Sequence, residues 1–163
     1  MARPRPPIER RGDGYRLHIG DDELALLRRL LGELRQLLVS DSDEEKVAGA
    51  MLTRLFPVAY PDDADLEAEY QRLMRSELVT SKLAAIDIVE NVIDGAGAAI
   101  DESQLTAFMQ SINSVRLVLG TLLDVTDDPD AEVVTEYDDT AEYQLYSYLS
   151  WLLEWSVRAL SGA

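Results

Sequence analysis

The sequence contains no cysteine, and this absence excludes several kinds of site at once. Disulfide bonds, thiolate metal centres, cysteine nucleophiles and thiol-based redox sensing all require a sulfur atom that the chain does not have. Histidine is nearly as scarce, because His18 is the only one among 163 residues. A metal site with two imidazole ligands is therefore excluded, and a serine triad would have to recruit His18. We expect His18 to be an ordinary strand or surface residue.

Several motifs and segments are also missing. The chain has no Gly-x-Ser-x-Gly elbow and no phosphate-binding loop, and Gly95-Ala96-Gly97 ends a predicted helix instead of following a strand. No run of about 18 apolar residues could span a membrane. Residues 1–11 lack the apolar core of a secretory signal. We therefore predict a cytoplasmic protein without a catalytic site, metal or cofactor.

Basic charge is scarce relative to acidic charge. The chain has 15 Lys and Arg against 31 Asp and Glu, which gives a formal net charge of −16. Nucleic-acid binding draws much of its free energy from counterions released by Lys and Arg, so direct binding to DNA is not expected. An acidic body suits a basic protein partner, or it serves solubility alone. Five basic residues lie near the N-terminus: Arg3, Arg5, Arg10, Arg11 and Arg16.

The hydrophobic pattern predicts an all-α fold, a single-domain bundle of about six helices with a short extended N-terminal segment. Residues 1–14 are predicted to form a flexible, basic, proline-rich arm, because its prolines disfavour a helix and Gly12-Asp13-Gly14 signals a turn. Residues 15–163 are predicted to form the acidic helical domain, which begins with an alternating, strand-like stretch at 15–19. Helices are predicted at 24–38, 47–55, 62–74, 78–94, 101–122 and 139–160.

Two groups of carboxylates could bind a cation. Asp87, Glu90 and Asp94 lie at positions i, i+3 and i+7, so they share one face of a helix. We favour the alternative that they form the solvated strip of an otherwise apolar helix. The loop at 124–132 departs from the EF-hand pattern, because Pro129 stands where the turn needs Gly and Thr135 where it needs Glu. It is predicted to be a solvated acidic loop, with a weak cation site or a landing patch for a basic partner as alternatives.

The last predicted helix carries the most suggestive pattern. Six of the chain's 11 aromatic residues lie between Tyr137 and Trp155. Tyr148, Trp151 and Trp155 line the flank of a broad apolar face at positions i, i+3 and i+7. That face is wider than the stripe a surface helix usually buries. Either the bundle covers it on two sides, or part of it binds a partner, for which Trp and Tyr are favoured anchors.

Three stretches together resemble a known family. They are Leu55-Phe56-Pro57-Val58-Ala59-Tyr60 followed by Asp62-Asp63, the segment 112–120 with its Asn-x-x-Arg-Leu core, and the helix 145–160 with Trp151-Leu152. In this order they are similar to an actinobacterial family of unknown function that is associated with an oxidative-stress transcriptional regulator. The resemblance implies a cytoplasmic helical regulator that contacts a sigma factor or another part of the transcription machinery.

One property of that family cannot be carried over to this chain. Its redox behaviour is tied to a cysteine pair near the N-terminus, and this sequence has no cysteine. Direct thiol sensing is therefore not expected here. Any effect on promoters should run through a protein partner, because the acidic body repels DNA.

The matched residues also suggest a structural junction. Asn113 and Arg116 share one face of a largely apolar helix, and a buried guanidinium needs a partner. We predict an internal ion pair of Arg116 with Asp62, Asp63 or Glu90 that ties the Pro-Tyr-Pro loop to the bundle; a functional anion site is the alternative. The hydroxyl of Tyr60 is predicted to support the same junction.

These observations favour a regulatory protein that is not an enzyme and acts through protein–protein contact. An adaptor or assembly factor for a protease system is supported by the same features. A third hypothesis is a carboxylate-dependent cation binder or enzyme that uses Asp87, Glu90 and Asp94. The sequence leaves open whether the wide apolar face forms a homodimer.

Overall fold

The computed structural model describes residues 4–39, 55–56, 58–95, 97–123 and 140–162. Within these ranges the chain forms a small antiparallel hairpin followed by four helices. The elements are β1 (Ile8–Arg11), β2 (Gly14–Leu17), α1 (Asp21–Val39), α2 (Ala64–Asp94), α3 (Glu102–Leu122) and α4 (Ala141–Ser161).

The hairpin revises the prediction for the N-terminal arm. Part of the stretch 1–14 is β1, whose Ile8 pairs with Leu17 of β2 and is 2% exposed. The turn signal was interpreted correctly, since Gly12 adopts a φ of +60° between the two strands. Burial of Ile8 and Tyr15 in the core holds the hairpin against the helices. The strand predicted from the alternation after Tyr15 is present as β2.

A backbone contact joins the hairpin to the start of α3. Tyr15 and Ile100 exchange two backbone hydrogen bonds of 2.9 Å. Gly14 makes this approach possible, because a Cβ atom at this position would lie 2.8 Å from the carbonyl oxygen of Ile100. The hairpin therefore covers one end of the bundle.

The long helix α2 replaces two of the predicted helices. The stretches 62–74 and 78–94 were predicted as separate helices, but they form one helix of 31 residues. No proline or glycine interrupts this stretch, so nothing in the chain breaks the hydrogen-bond ladder. Asp63 caps its N-terminus by accepting hydrogen bonds from the amides of Asp65 and Leu66. The buried residues of α2 all lie in its C-terminal part: Ala85, Ile86, Val89, Val92 and Ile93.

Helix α3 lies between α2 and α4 and supplies the centre of the core. Its N-terminus is fixed by a capping box in which Asp101 and Gln104 exchange backbone and side-chain hydrogen bonds. Three of its side chains are fully buried: Leu105, Phe108 and Ile112. Helix α1 adds a row of buried leucines at spacings of three and four: Leu27, Leu31, Leu34 and Leu38.

The helix count differs from the six predicted, because the described ranges contain four. The predicted helix at 47–55 lies outside these ranges except for Leu55, as does the acidic loop with Pro129 and Thr135. A mostly helical fold is confirmed, with the small hairpin added. None of the helices in the described ranges is long and apolar enough to cross a membrane.

Candidate functional site

Helix α4 is firmly held along its inner side. Leu149, Leu152 and Ser156 are fully buried, and α4 packs against both α3 and β1. The Ser156 hydroxyl donates a 2.8 Å hydrogen bond to the carbonyl oxygen of Leu152, so this buried polar group is satisfied. Thr140 caps the N-terminus, and Gly162 ends the helix in the left-handed conformation. A rigid helix therefore carries the residues on its outer side.

Tyr148, Trp151 and Trp155 lie along one outer edge of α4, and we call them the aromatic edge. Trp151 is 45% exposed, whereas Tyr148 and Trp155 are partly buried against the core. The rings of Tyr148 and Trp151 are 5.9 Å apart between centroids, with an interplanar angle of 32°. The guanidinium carbon of Arg158 lies 5.3 Å from the centre of the Trp155 ring, which is a cation–π distance.

A contact with α1 fixes the orientation of Tyr148. Its hydroxyl donates a 2.9 Å hydrogen bond to the carboxylate of Glu23 in the first turn of α1. Burial, and then this carboxylate, raise the pKa of the Tyr148 hydroxyl above its usual value, so it stays a donor. Glu23 could not be identified from the sequence. The two residues are 125 positions apart, and no local pattern connects them.

The aromatic edge combines rings that are held in place with exposed apolar surface. Two of its rings are held by their own fold, and the third, Trp151, presents apolar surface to water. A ring that is already held in place loses little conformational entropy when it is covered by a partner. Trp and Tyr in this setting are the residue types that most often dominate the binding energy of protein interfaces.

The predicted carboxylate strip faces solvent and is engaged by arginines of α1. The side chains of Asp87 and Asp94 are each 64% exposed, and that of Glu90 is 30% exposed. The Arg35 guanidinium lies 2.7 Å from Asp87 and 3.1 Å from Glu90, and hydrogen bonds to both raise its pKa. Arg28 forms an ion pair with Asp94. The strip therefore joins α1 to α2.

Arg116 finds different partners from those predicted. Its guanidinium donates to the Asn113 side-chain oxygen at 3.0 and 3.3 Å and to the Tyr146 hydroxyl at 3.1 Å. It also lies 5.6 Å from the centre of the Tyr146 ring. Asn113 and Arg116 share one face of α3, and a hydrogen bond between their side chains was not among the predicted contacts. Within the described ranges Arg116 forms no ion pair with Asp62, Asp63 or Glu90, since the partner of Glu90 is Arg35.

The other junction residues lie at the start of α2. The backbone amide of Tyr60 donates a 2.6 Å hydrogen bond to the Glu67 carboxylate, and its ring packs edge-on against Tyr70 at 5.9 Å. Asp63 is occupied as the N-terminal cap, and Asp62 is exposed. The structure therefore ties this loop to α2 through Glu67, which the sequence analysis did not identify, instead of through Arg116.

His18 follows β2 and pairs with the hairpin's first strand. Its Nε2 lies 2.9 Å from a carboxylate oxygen of Glu9, whose pKa is lowered by hydrogen bonds from Arg11 and then from His18. In the described part of the chain, no three histidine or carboxylate side chains are grouped so that they could hold a metal ion.

These observations describe a mostly helical protein with an aromatic edge on its last helix. A family model described as "Domain of unknown function (DUF2017)" matches residues 3–160, so the chain belongs to this family. The resemblance inferred from the sequence is thereby confirmed.

Curated relatives in mycobacteria carry a name that describes a regulator. Proteins of Mycobacterium bovis and Mycobacterium tuberculosis named "Oxidative stress regulator AosR" are 28% identical to this chain. The similarity covers 94% of this chain and 85% of each relative. No solved structure matches the chain.

Proposed function

We propose that this protein is a regulator that acts without catalysis, by binding another protein through the aromatic edge of α4. The observation that carries the proposal is the half-exposed Trp151, mounted beside two rings that the fold holds in place. The names of the mycobacterial relatives support a regulatory role. We further propose that the partner is a sigma factor or another component of the transcription machinery, as the family resemblance implies.

The state of the carboxylate strip favours this proposal over a cation-dependent enzyme. Asp87, Glu90 and Asp94 are already paired with Arg28 and Arg35. A cation would have to displace two guanidinium groups that are fixed on a neighbouring helix. The remaining strip is a solvent-facing surface, which gives a substrate no enclosed space.

The test uses purified sigma factors of the source organism and three forms of the protein. In Trp151→Ala the exposed ring is lost, and the core should be left intact because Trp151 contributes little to it. Val157→Ala is the matched control, since Val157 is 50% exposed on the same helix but away from the aromatic edge. Circular dichroism should show that both variants keep the fold.

We expect Trp151→Ala to weaken binding by about tenfold or more, the usual effect of removing an interface anchor. Val157→Ala should bind within about twofold of the wild type, which corresponds to less than about 0.5 kcal/mol. Calorimetry or biolayer interferometry would measure both. Equal binding by Trp151→Ala would place the interface elsewhere. Absence of binding to any sigma factor or polymerase subunit would refute the proposed partner.

A further inference from the structure

A cleft of about 250 Å³ opens between α1, α2 and α3, on a different part of the molecule from the aromatic edge. Apolar residues of all three helices line it, among them Leu34, Leu78 and Leu117. Polar residues of α2 and α3 line it as well: Ser81, Lys82, Gln110, Ser111, Asn113 and Ser114. Of the described residues that line the cleft, Lys82 alone carries a charge. This arrangement is that of a small-ligand site, which combines apolar walls with a few polar groups.

Lys82 is a partly buried cation that has no counter-ion among the described residues. Its ammonium donates a 3.4 Å hydrogen bond to the Ser114 hydroxyl, and burial lowers its pKa. In the described ranges no carboxylate lies within ion-pair distance of it, in contrast to Arg28 and Arg35 on α1. In a protein with a net charge of −16, an unpaired buried cation is unusual, because acidic partners are abundant.

Two serine hydroxyls add further donors to the cleft. Ser111 is 3% exposed, and its hydroxyl has no hydrogen-bond partner within the described part of the chain. Such an orphaned buried group is costly unless a ligand or water satisfies it. Ser114 is 5% exposed, and its oxygen accepts from Lys82, so its own proton remains to be donated. Among the described residues, the ammonium of Lys82 and the side chains of two serines therefore line one cleft without an acidic neighbour.

We propose that this cleft binds a small monocarboxylate, with the carboxylate held by Lys82, Ser111 and Ser114 and the hydrocarbon part against the leucines. One ammonium balances one negative charge. A phosphate dianion would leave a second charge buried without compensation, inside a body that is already strongly anionic. Binding in this cleft does not depend on the aromatic edge of α4.

The same groups do not support catalysis by a serine–lysine pair. Ser114 lies within α3, where each backbone amide donates to the carbonyl four residues earlier. No backbone donor is therefore left beside Ser114 to stabilise an oxyanion, which an acyl-transfer reaction requires. These residues can bind an anion, but they do not provide the oxyanion donor that bond cleavage would need.

The test is a titration of the purified protein with sodium butyrate, followed by NMR of ¹³C-labelled lysine side chains. The chain has two lysines, Lys46 and Lys82, so the spectrum is simple and Lys82→Met assigns it. Sodium chloride at equal ionic strength and sodium phosphate are the comparison arms. Ser111→Ala tests the orphaned hydroxyl, and Ser103→Ala is its control, because Ser103 is exposed near the start of the same helix.

We expect butyrate to shift the Lys82 resonance saturably and to raise the pKa of Lys82, while Lys46 responds only as it does to chloride. Lys82→Met should weaken binding by about tenfold or more, and Ser111→Ala by about threefold without loss of thermal stability. Ser103→Ala should bind like the wild type. A response to butyrate no larger than that to chloride would overturn the proposal. Tighter binding of phosphate would overturn the assignment of a monocarboxylate.

Discussion

Single carboxylates in this protein connect segments through hydrogen bonds that the sequence pattern does not predict. Glu23 holds the Tyr148 hydroxyl, Glu9 holds His18, and Glu67 holds the loop before α2. None of the three stood out in the sequence, because a glutamate on a helix or strand surface looks like any solvated charge. Their partners lie on another segment or across a turn, so only the fold reveals them. That Asn113 and Arg116 share one helix face could be predicted because both residues are on one helix.

The contacts of Glu67 predict a pH-dependent change at two backbone amides. Its carboxylate accepts hydrogen bonds from the amides of Ala59 and Tyr60 at 2.9 and 2.6 Å. Hydrogen bonds from Gln71 and then from these amides lower the pKa of Glu67 below its usual 4.5. A carboxyl group with a lowered pKa stabilises the fold above the ordinary pKa, and this contribution is lost as the pH falls through the lowered value. The loop should therefore detach from α2 only below pH 4.5.

The amide proton shifts of Ala59 and Tyr60 would follow this change in an NMR titration. Both should move together, with one midpoint below 4.5. Glu67→Gln should abolish the transition, because the substituted side chain does not titrate in this range. Glu69→Gln, an exposed position one turn away from the loop, should leave it unchanged. Separate midpoints for the two amides would contradict a shared acceptor.

At the scale of elements, the sequence predicted the ends of helices where the capping or helix-breaking residues lie at those ends. Helix α3 begins at the predicted acidic cap and α2 ends at Gly95, as the glycine pair indicated. The division of α2 into two helices was wrong, because its N-terminal part has a different environment. Leu66 and Leu73 are 47% and 61% exposed there. A change in burial along a helix alters the hydrophobic pattern without breaking the backbone, so the pattern suggests a boundary that does not exist.

The hairpin shows a second reason why the sequence pattern did not predict the whole fold. Its turn is visible in the sequence, but the bridge from Tyr15 to Ile100 joins residues 85 positions apart. Without that contact, a proline-rich basic stretch has no reason to be ordered, and a flexible arm was the natural expectation. The cleft around Lys82 and Ser114 was missed for the same reason, since it forms only when α2 and α3 pack together.

Two glycines give opposite predictions for the stability of these elements. Gly32 lies inside α1, and a Cβ atom there would meet no described residue within 4 Å. Gly32→Ala should raise the free energy of unfolding by about 0.5–1 kcal/mol, because alanine costs less backbone entropy in a helix.

Gly14→Ala should lower the free energy of unfolding by about 1–3 kcal/mol, because the new methyl group collides with the Ile100 carbonyl.

Urea denaturation of both variants would measure these changes. Gly20→Ala is a suitable control, since Gly20 has open space around it and lies outside the helices. If Gly14→Ala were as stable as the wild type, the hairpin would not pack against Ile100 as described. A destabilising Gly32→Ala would mean that another part of the chain covers that side of α1.

At the scale of the whole molecule, charge and shape have separate roles in binding. The chain has a net charge of −16, while Arg28 and Arg35 of α1 are used in ion pairs to α2. Long-range charge attraction acts before contact and so governs the association rate. A short-range apolar contact, such as the one proposed for the aromatic edge, acts after the two proteins have met and so governs how long a complex lasts. If the proposed partner is basic at its interface, the two contributions can be separated experimentally.

We expect the association rate with such a partner to fall by about tenfold or more between 0.05 and 0.5 M sodium chloride, because the Debye length falls from about 14 to about 4 Å over this range. The dissociation rate should change much less. Trp151→Ala should raise the dissociation rate and leave the salt dependence of association unchanged, since it removes no charge. Stopped-flow or biolayer measurements at several salt concentrations would determine both rates. An association rate that does not depend on salt would mean that the partner presents no basic surface, and the acidity of this protein would then serve solubility instead of recognition.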